Sequence, residues 1–173
     1  MEICVTRFTD TTFNENRSWL MKNNKENNKE NNQENNHIKG CIYGTPVKIK
    51  TSILPDTTLL VIEMNNTKNK IEGIGIIKNN LMPENRKYYK IYSDNNYNRF
   101  IYKSNFRIDK NDFTANEKEV LTLLEHFLFK TPYHCKRGQG IQKIPLKIVN
   151  NEEPNFVRFL INMYISRKEH NAT

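Results

Sequence analysis

The stretch TPYHCKRGQGIQKIP, residues 131–145, gathers His134, Cys135, Lys136, Arg137, Gly138 and Gly140. These are the residue types of nucleophilic, acid–base or phosphate-holding chemistry. A cysteine–histidine catalytic pair needs thiolate and imidazole at bonding distance, and adjacent residues of an extended chain project to opposite faces, so His134 and Cys135 do not make one. A phosphate loop of the G-x-x-x-x-G-K-[ST] type needs its lysine after the glycines. Here the lysine comes before them and strand-like sequence follows. Two readings remain. Lys136, Arg137 and the backbone N–H groups around Gly138 and Gly140 can hold a phosphate, because glycine lets the main chain approach closely. Equally, the segment fits a basic turn that leads into a strand and leaves its cations in water.

Paired carboxylates are the other route to chemistry, for metal-assisted hydrolysis or general acid–base work. Glu15, Glu117, Glu152 and Glu153 fall where helices should begin, which accounts for them structurally. Only Glu63 and Glu72 lie in strand-like sequence, on facing arms of a hairpin, where like charges would oppose each other. No D-x-D, H-E-x-x-H or G-x-S-x-G occurs. The sequence nominates no catalytic residue, and an enzyme would need Glu63, Glu72 and His134 to converge in one cleft. Cys4, Cys41 and Cys135 are odd in number with no C-x-x-C, and His37, His126, His134 and His170 have no paired spacing. No metal, cofactor or disulfide framework is expected, and a reducing compartment fits.

Charge points to a partner. The 173-residue chain carries a formal net charge of +8. Between residues 86 and 110 stand Arg86, Lys87, Lys90, Arg99, Lys103, Arg107 and Lys110 against only Asp94 and Asp109. Residues 130–147 hold Lys130, Lys136, Arg137, Lys143 and Lys147 and no acid. The segment KYYKIYSDNNYNRFIYKSNFR interleaves such cations with seven aromatic rings. Rings that stack on bases beside cations that meet phosphate are how sheets hold single strands. Arg99, Lys103, Arg107, Lys136, Arg137, Gly138 and Gly140 are therefore the candidate phosphate-binding set. A lysine-rich surface inherited from A/T-rich codons would give the same counts. The N-terminus lacks a basic leader, and no run of eighteen apolar residues occurs. The expectation is an intracellular chain with no membrane partner.

The elements that must position these residues follow from pattern. EICVTRF alternates as a strand, and Thr12 with Glu15 reads as a capping box opening a helix that carries Trp19. KNNKENNKENNQENN, residues 22–36, has nothing to bury and reads as a disordered insertion in a surface loop. GCIYGTPVKI, TLLVIEMN, KIEGIGIIKN, YYKIYS and RFIYKSNFRI then read as short strands, the second and third forming a hairpin through Asn65–Asn69. Gly73 and Gly75 inside a strand indicate a bulge or a close approach of backbone. Thr114 and Glu117 form a second capping box, with Val120, Leu123, Leu124, Phe127 and Leu128 on one helical face. IQKIPLKIV reads as a strand, and a last helix opens with Glu152, Glu153 and Pro154 in its first turn.

A strand ICVTRF, a helix bearing a lone Trp in NENRSW, and the run LLVIEMNN to IEGIGIIK resemble the PUA-like superfamily, which includes the EVE and YTH domains. The resemblance covers the element order over residues 2–110 and, in motif detail, the strand at 71–78. It implies a small curved β-barrel-like sheet flanked by helices and binding of RNA or modified bases between barrel and first helix. Projected onto this chain, the ligand pocket would comprise Arg7, Trp19, Tyr43 and Asn65. An aromatic cage of the YTH type uses more than one Trp, and this chain has one. The Asn-rich composition also resembles proteins of large double-stranded DNA viruses, mimivirus-like, or of similarly biased protists.

The expectation is a single α+β domain over residues 1–173, with residues 112–173 as an α-β-α extension packed on a barrel-like body. Its expected function is nucleic-acid binding, to RNA or DNA in single-stranded or modified form. The alternative is a structural or protein-interaction component, of a virion or viral factory, with no enzymatic activity.

Overall fold

The computed structural model describes residues 1–28, 40–82, 89–149 and 155–170. Strand β1 (Glu2–Phe8) leads directly into helix α1 (Asp10–Asn28), followed by β2 (Cys41–Thr45), β3 (Thr58–Asn65) and β4 (Lys70–Lys78). Next come β5 (Phe100–Ser104), β6 (Phe106–Asp109), α2 (Ala115–Phe129), β7 (Gln142–Lys143), the four-residue α3 (Leu146–Val149) and α4 (Phe156–His170). The protein is α+β, with a mixed five-stranded sheet ordered β6-β4-β3-β1-β7 and a separate two-stranded ladder, β2-β5. β1 and β3 run parallel, and the other pairings are antiparallel.

The large sheet is buried on both faces, which is why its central strands are almost wholly apolar. On one face Ile3, Val5, Leu60, Ile62 and Ile74 pack against Leu121, Leu124 and Leu128 of α2 and Phe156, Leu160 and Met163 of α4. On the other, Cys4, Phe8, Leu59, Val61 and Ile77 meet Leu20 of α1 and Ile42, Tyr43, Ile101 and Tyr102 of the small ladder. The two ladders share one stretch of chain. Residues 100–104 pair with β2, and after Asn105 residues 106–109 pair with β4, so the strand changes ladder at a bend. Among the described residues no hydrogen-bonded closure joins β2 to β7, so the sheet is curled and not a closed barrel.

Several local expectations shift. The first helix begins at Asp10, and its cap is a reciprocal pair between Thr9 and Thr12: each backbone N–H donates to the other's hydroxyl, at 2.9 and 3.2 Å. Glu15 instead accepts from Ser93 N–H at 3.2 Å. Thr9 outcompetes Thr12 as the cap because the chain leaves β1 immediately after Phe8. The same helix runs to Asn28, so the first part of the tract expected to be disordered is helical. Once a helix is nucleated, each added residue gains a backbone hydrogen bond, and Lys and Glu propagate well. The rest of that tract, 29–36, lies outside the described residues, as do Glu152, Glu153 and Pro154.

Of YYKIYS, residues 89–93 are described, and they form no strand. Ile91 and Tyr92 donate their N–H groups to Asn98 Oδ1 at 2.9 and 3.0 Å, a side chain taking the place of a partner strand. IQKIPLKIV yields only the two-residue β7 and then turns helical at α3, as Pro145 cannot donate to a ladder. The Thr114–Glu117 capping box stands. Its helix buries Leu121, Leu124, Leu128 and Phe129, leaving Leu123 exposed.

Both strand glycines do what their positions implied. Glu72 is the extra residue of a β-bulge, since Glu63 pairs with Gly73 while Met64 pairs with Ile71. A side chain at Gly75 would overlap the Tyr43 hydroxyl and Cys41 Sγ, and one at Gly73 would meet the Arg107 guanidinium. Gly75→Ala should therefore lower stability by roughly 1–3 kcal/mol, read as a lower urea midpoint with unchanged slope. An unaltered midpoint would mean that β2 does not lie this close to β4.

Candidate functional site

Between β4, α1 and the small ladder lies a knot of buried charge. Arg107 grips Glu63 through Nε (2.9 and 3.0 Å) and Nη2 (2.6 Å), and through Nη1 it reaches Asp109 (2.5 Å). The Arg107 and Glu63 side chains are each only 2 % exposed. Tyr43 donates its hydroxyl to Glu63 Oε1 at 2.9 Å. Burial works against the Arg107 charge, but Glu63 and Asp109 outweigh it and hold the guanidinium pKa above its ordinary value. Burial likewise pushes the Cys41 thiol up to about 12 and the Tyr43 phenol well above its usual range. Neither is a nucleophile at neutral pH. Glu72 is committed elsewhere, accepting from Asn65 Nδ2 at 2.8 Å and from Lys110 Nζ at 2.5 Å. His134 Nδ1 accepts from Lys136 N–H at 3.4 Å. Glu63, Glu72 and His134 thus serve three different partner sets and compose no catalytic centre.

A second feature has the character of a site. Where β1 ends and α1 begins, a cleft of about 210 Å³ opens between the Thr9–Thr12 cap, the Gly44–Thr45–Pro46 corner of β2, Tyr92, Tyr97 and the loop 136–140. It lies at the carboxyl ends of the two parallel strands, the place where open sheets with a helix following the strand accept ligands. Arg7 and Lys136 line it, and among the described residues no carboxylate does. Threonine hydroxyls from positions 6, 9, 12 and 45 supply neutral donors and acceptors. The loop is pinned from beneath. Arg7 Nε donates to Cys135 O, Arg7 Nη2 to Gln142 Oε1 at 3.0 Å, Asn66 Nδ2 to Lys136 O at 2.9 Å, and Lys136 Nζ to Asn69 Oδ1 at 2.8 Å. Gly138 and Gly140 have φ of +118° and +68°, so the chain folds back here in a way that side-chain-bearing residues resist. Arg7 Nη1 and Asn66 Oδ1 are buried with no hydrogen-bond partner, an unspent donor and acceptor beside the cleft. Burial lowers the Arg7 pKa below its ordinary value, although arginine remains charged at neutral pH.

The candidate residues divide sharply. Arg7, Lys136, Gly138 and Gly140 come together in this cleft, while Arg137 is exposed on the same loop. Tyr43 and Asn65 are corrected out of the ligand pocket. Tyr43 is 1 % exposed and bonded to Glu63, and Asn65 is fully buried, bonding Asp10 and Glu72 through its amide. Arg107 is corrected out of the phosphate set, because Glu63 and Asp109 consume its donors. Trp19 stands apart from the cleft, its ring 5.5 Å from that of Tyr89 over a shallow groove bordered by Lys22 and Lys90. Arg99 and Lys103 are exposed on or beside β5. Sequence reasoning found Thr12 as a cap but missed Thr9 and the place of both in the cleft wall, which comes only from where β1 stops. Neither protein-family models, curated proteins nor solved structures match this chain.

Two predictions test the ion pairs. Arg107→Met leaves Glu63 buried without its counter-ion and should cost roughly 3–5 kcal/mol, whereas replacing Glu63 by Met as well should restore much of that. A urea double-mutant cycle measures the difference, and additive losses would rule out the pairing. The second concerns acid. Burial raises Asp109, but Arg107 and the Asn111 N–H lower it further, leaving it below 3.8. Burial also raises Glu117, and Arg167 with the Thr114 backbone brings it below 4.5. Both folded pKa values are depressed, so their stability is present above the unfolded values and lost as pH falls through the folded ones. The urea midpoint should therefore drop as pH decreases below about 4.5, and less steeply in Asp109→Asn.

Proposed function

We propose that the chain is a nucleic-acid-binding module whose phosphate contact is the cleft at the carboxyl end of β1. The observation that carries this reading is a cleft, lined by no carboxylate among the described residues, in which Arg7, Lys136 and a glycine-bent backbone converge beside a helix start. An anion there meets two cations, hydroxyls, and the positive end of the α1 dipole, contributions that act in the same direction. Tyr97, 37 % exposed on the cleft wall, offers a ring to a base. The net charge of +8 supplies the long-range attraction that a polyanion would feel.

The PUA-like relationship is proposed on the same footing. A strand leading into a Trp-bearing helix, then curled strands with one changing ladder at Asn105, supports it. Helix α1 and the small ladder border the cleft, which is where such domains hold their ligands.

The test is fluorescence-polarisation binding to single-stranded RNA, single-stranded DNA and duplexes of one length at two salt concentrations. Binding should saturate and weaken with salt. Lys136→Glu with Arg137→Glu should weaken it about tenfold and reduce the salt slope by about 1 for each phosphate no longer neutralised. Circular dichroism guards against misfolding. Wild-type affinity in the folded double variant would remove the cleft from the function. Saturable capture of a protein with no nucleic-acid binding would favour the structural alternative instead.

A further inference from the structure

On the small ladder, two cations gather about one aromatic ring. Lys48 Nζ lies 5.3 Å and Arg99 Cζ 5.4 Å from the centroid of Phe100. Both cations are exposed, the ring is half-buried, and neither cation has an ion pair among the described residues. Each attraction to the ring is modest at an exposed site, and the two like charges repel each other. Both cations lie over the ring, which also packs on the core, so a base that stacks there displaces an exposed cation whose charge can then meet the adjoining phosphate.

Its position ties it to the cleft. Phe100 pairs with Thr45 across the β2–β5 ladder, about 5 Å between Cα atoms, and Thr45 lines the cleft. Tyr97, three residues earlier, lies on the cleft wall. The cleft, at about 210 Å³, is smaller than the usual small-molecule pocket of ~300–1,000 Å³. A cleft of that size holds only part of a nucleotide chain, and any longer ligand must continue beyond it. A base can stack on Phe100 only if it is not already paired and stacked in a duplex.

Resting on the cleft reading above, we infer that the ligand is a single strand of two or more nucleotides. One phosphate is held in the cleft, and the neighbouring base lies on Phe100, displacing one exposed cation from the ring and leaving the other beside it. The cleft supplies the anchor, and the Phe100 clamp selects for an unpaired continuation.

Titrations of the full chain with 5′-phosphorylated thymidine oligomers of one, two and six nucleotides, and with a duplex of equal length, separate the two ideas. The dinucleotide should bind about tenfold more tightly than the mononucleotide, as one base–aromatic contact allows. Phe100→Leu should abolish that gain while leaving mononucleotide binding unchanged. Because Phe100 is partly packed, Lys48→Gln with Arg99→Gln, both exposed, provides a second test that does not touch the core. No gain from one nucleotide to two, or a gain that survives in both variants, overturns the clamp while the cleft stands. Equal affinity for the duplex overturns the single-strand selection. If no nucleotide binds at all, or if Lys136→Glu leaves mononucleotide binding intact, the cleft reading fails and the clamp fails with it.

Discussion

A carboxylate in the middle of a sheet that is covered on both faces needs a partner close at hand. Glu63 has one, because Arg107 meets it with three hydrogen bonds at 2.6–3.0 Å. That ion pair dictates much else. Arg107 must cross over β4 to reach Glu63, which is possible only because Gly73 has no side chain in the way. Tyr43 must come down from the small ladder to the same carboxylate, and Gly75 leaves the space for its hydroxyl. Residues 100–109 must therefore bend at Asn105, pairing with β2 before it and with β4 after it. The buried ion pair fixes how the two ladders meet, and replacing it with apolar side chains would keep the volume without that direction.

The cleft is a consequence of the same arrangement. Holding the small ladder over β3 and β4 leaves its Gly44–Pro46 corner facing the ends of β1 and β3. The loop 136–140 fills part of that gap and is fastened by Arg7, Asn66 and Lys136 rather than by strand pairing. Threonines at the start of α1 complete the wall because the helix begins one residue after β1 stops. Rigid elements thus surround a short loop whose backbone conformation depends on two glycines, which presents main-chain donors in a fixed direction.

Much of this was legible in the sequence where the signal was local. The β3–β4 hairpin, its glycine irregularity and the Thr114 cap follow from residues within a few positions of one another, so period and turn chemistry suffice. The misreadings share a different cause. YYKIYS has strand-like composition, yet Asn98, a residue six or seven positions away, supplies the hydrogen bonds that a neighbouring strand would have given. Tyr43 and Asn65 look like pocket residues until long-range partners, Glu63 and Asp10, claim their polar atoms. Arg7 does line the cleft, because it stands near the end of a strand, where a side chain either reaches the rim or is paired beneath it.

Charge shows the limit most plainly. Counting Lys and Arg measures how much positive charge exists, and ion pairing leaves that sum unchanged. It does, however, decide where the excess resides. Arg107 and Glu63 cancel in the interior, Arg167 is matched by Glu117, and Lys110 by Glu72. What remains acts from the surface, with Lys48 and Arg99 around Phe100, the ladder partner of Thr45, and Arg137 exposed on the loop 136–140. Because exposed charges are screened within about 8–10 Å at physiological salt, a ligand responds to this local excess far more than to the total. A basic sequence becomes a binding surface only where the fold leaves neighbouring cations without carboxylates, and that condition depends on residues dozens of positions apart.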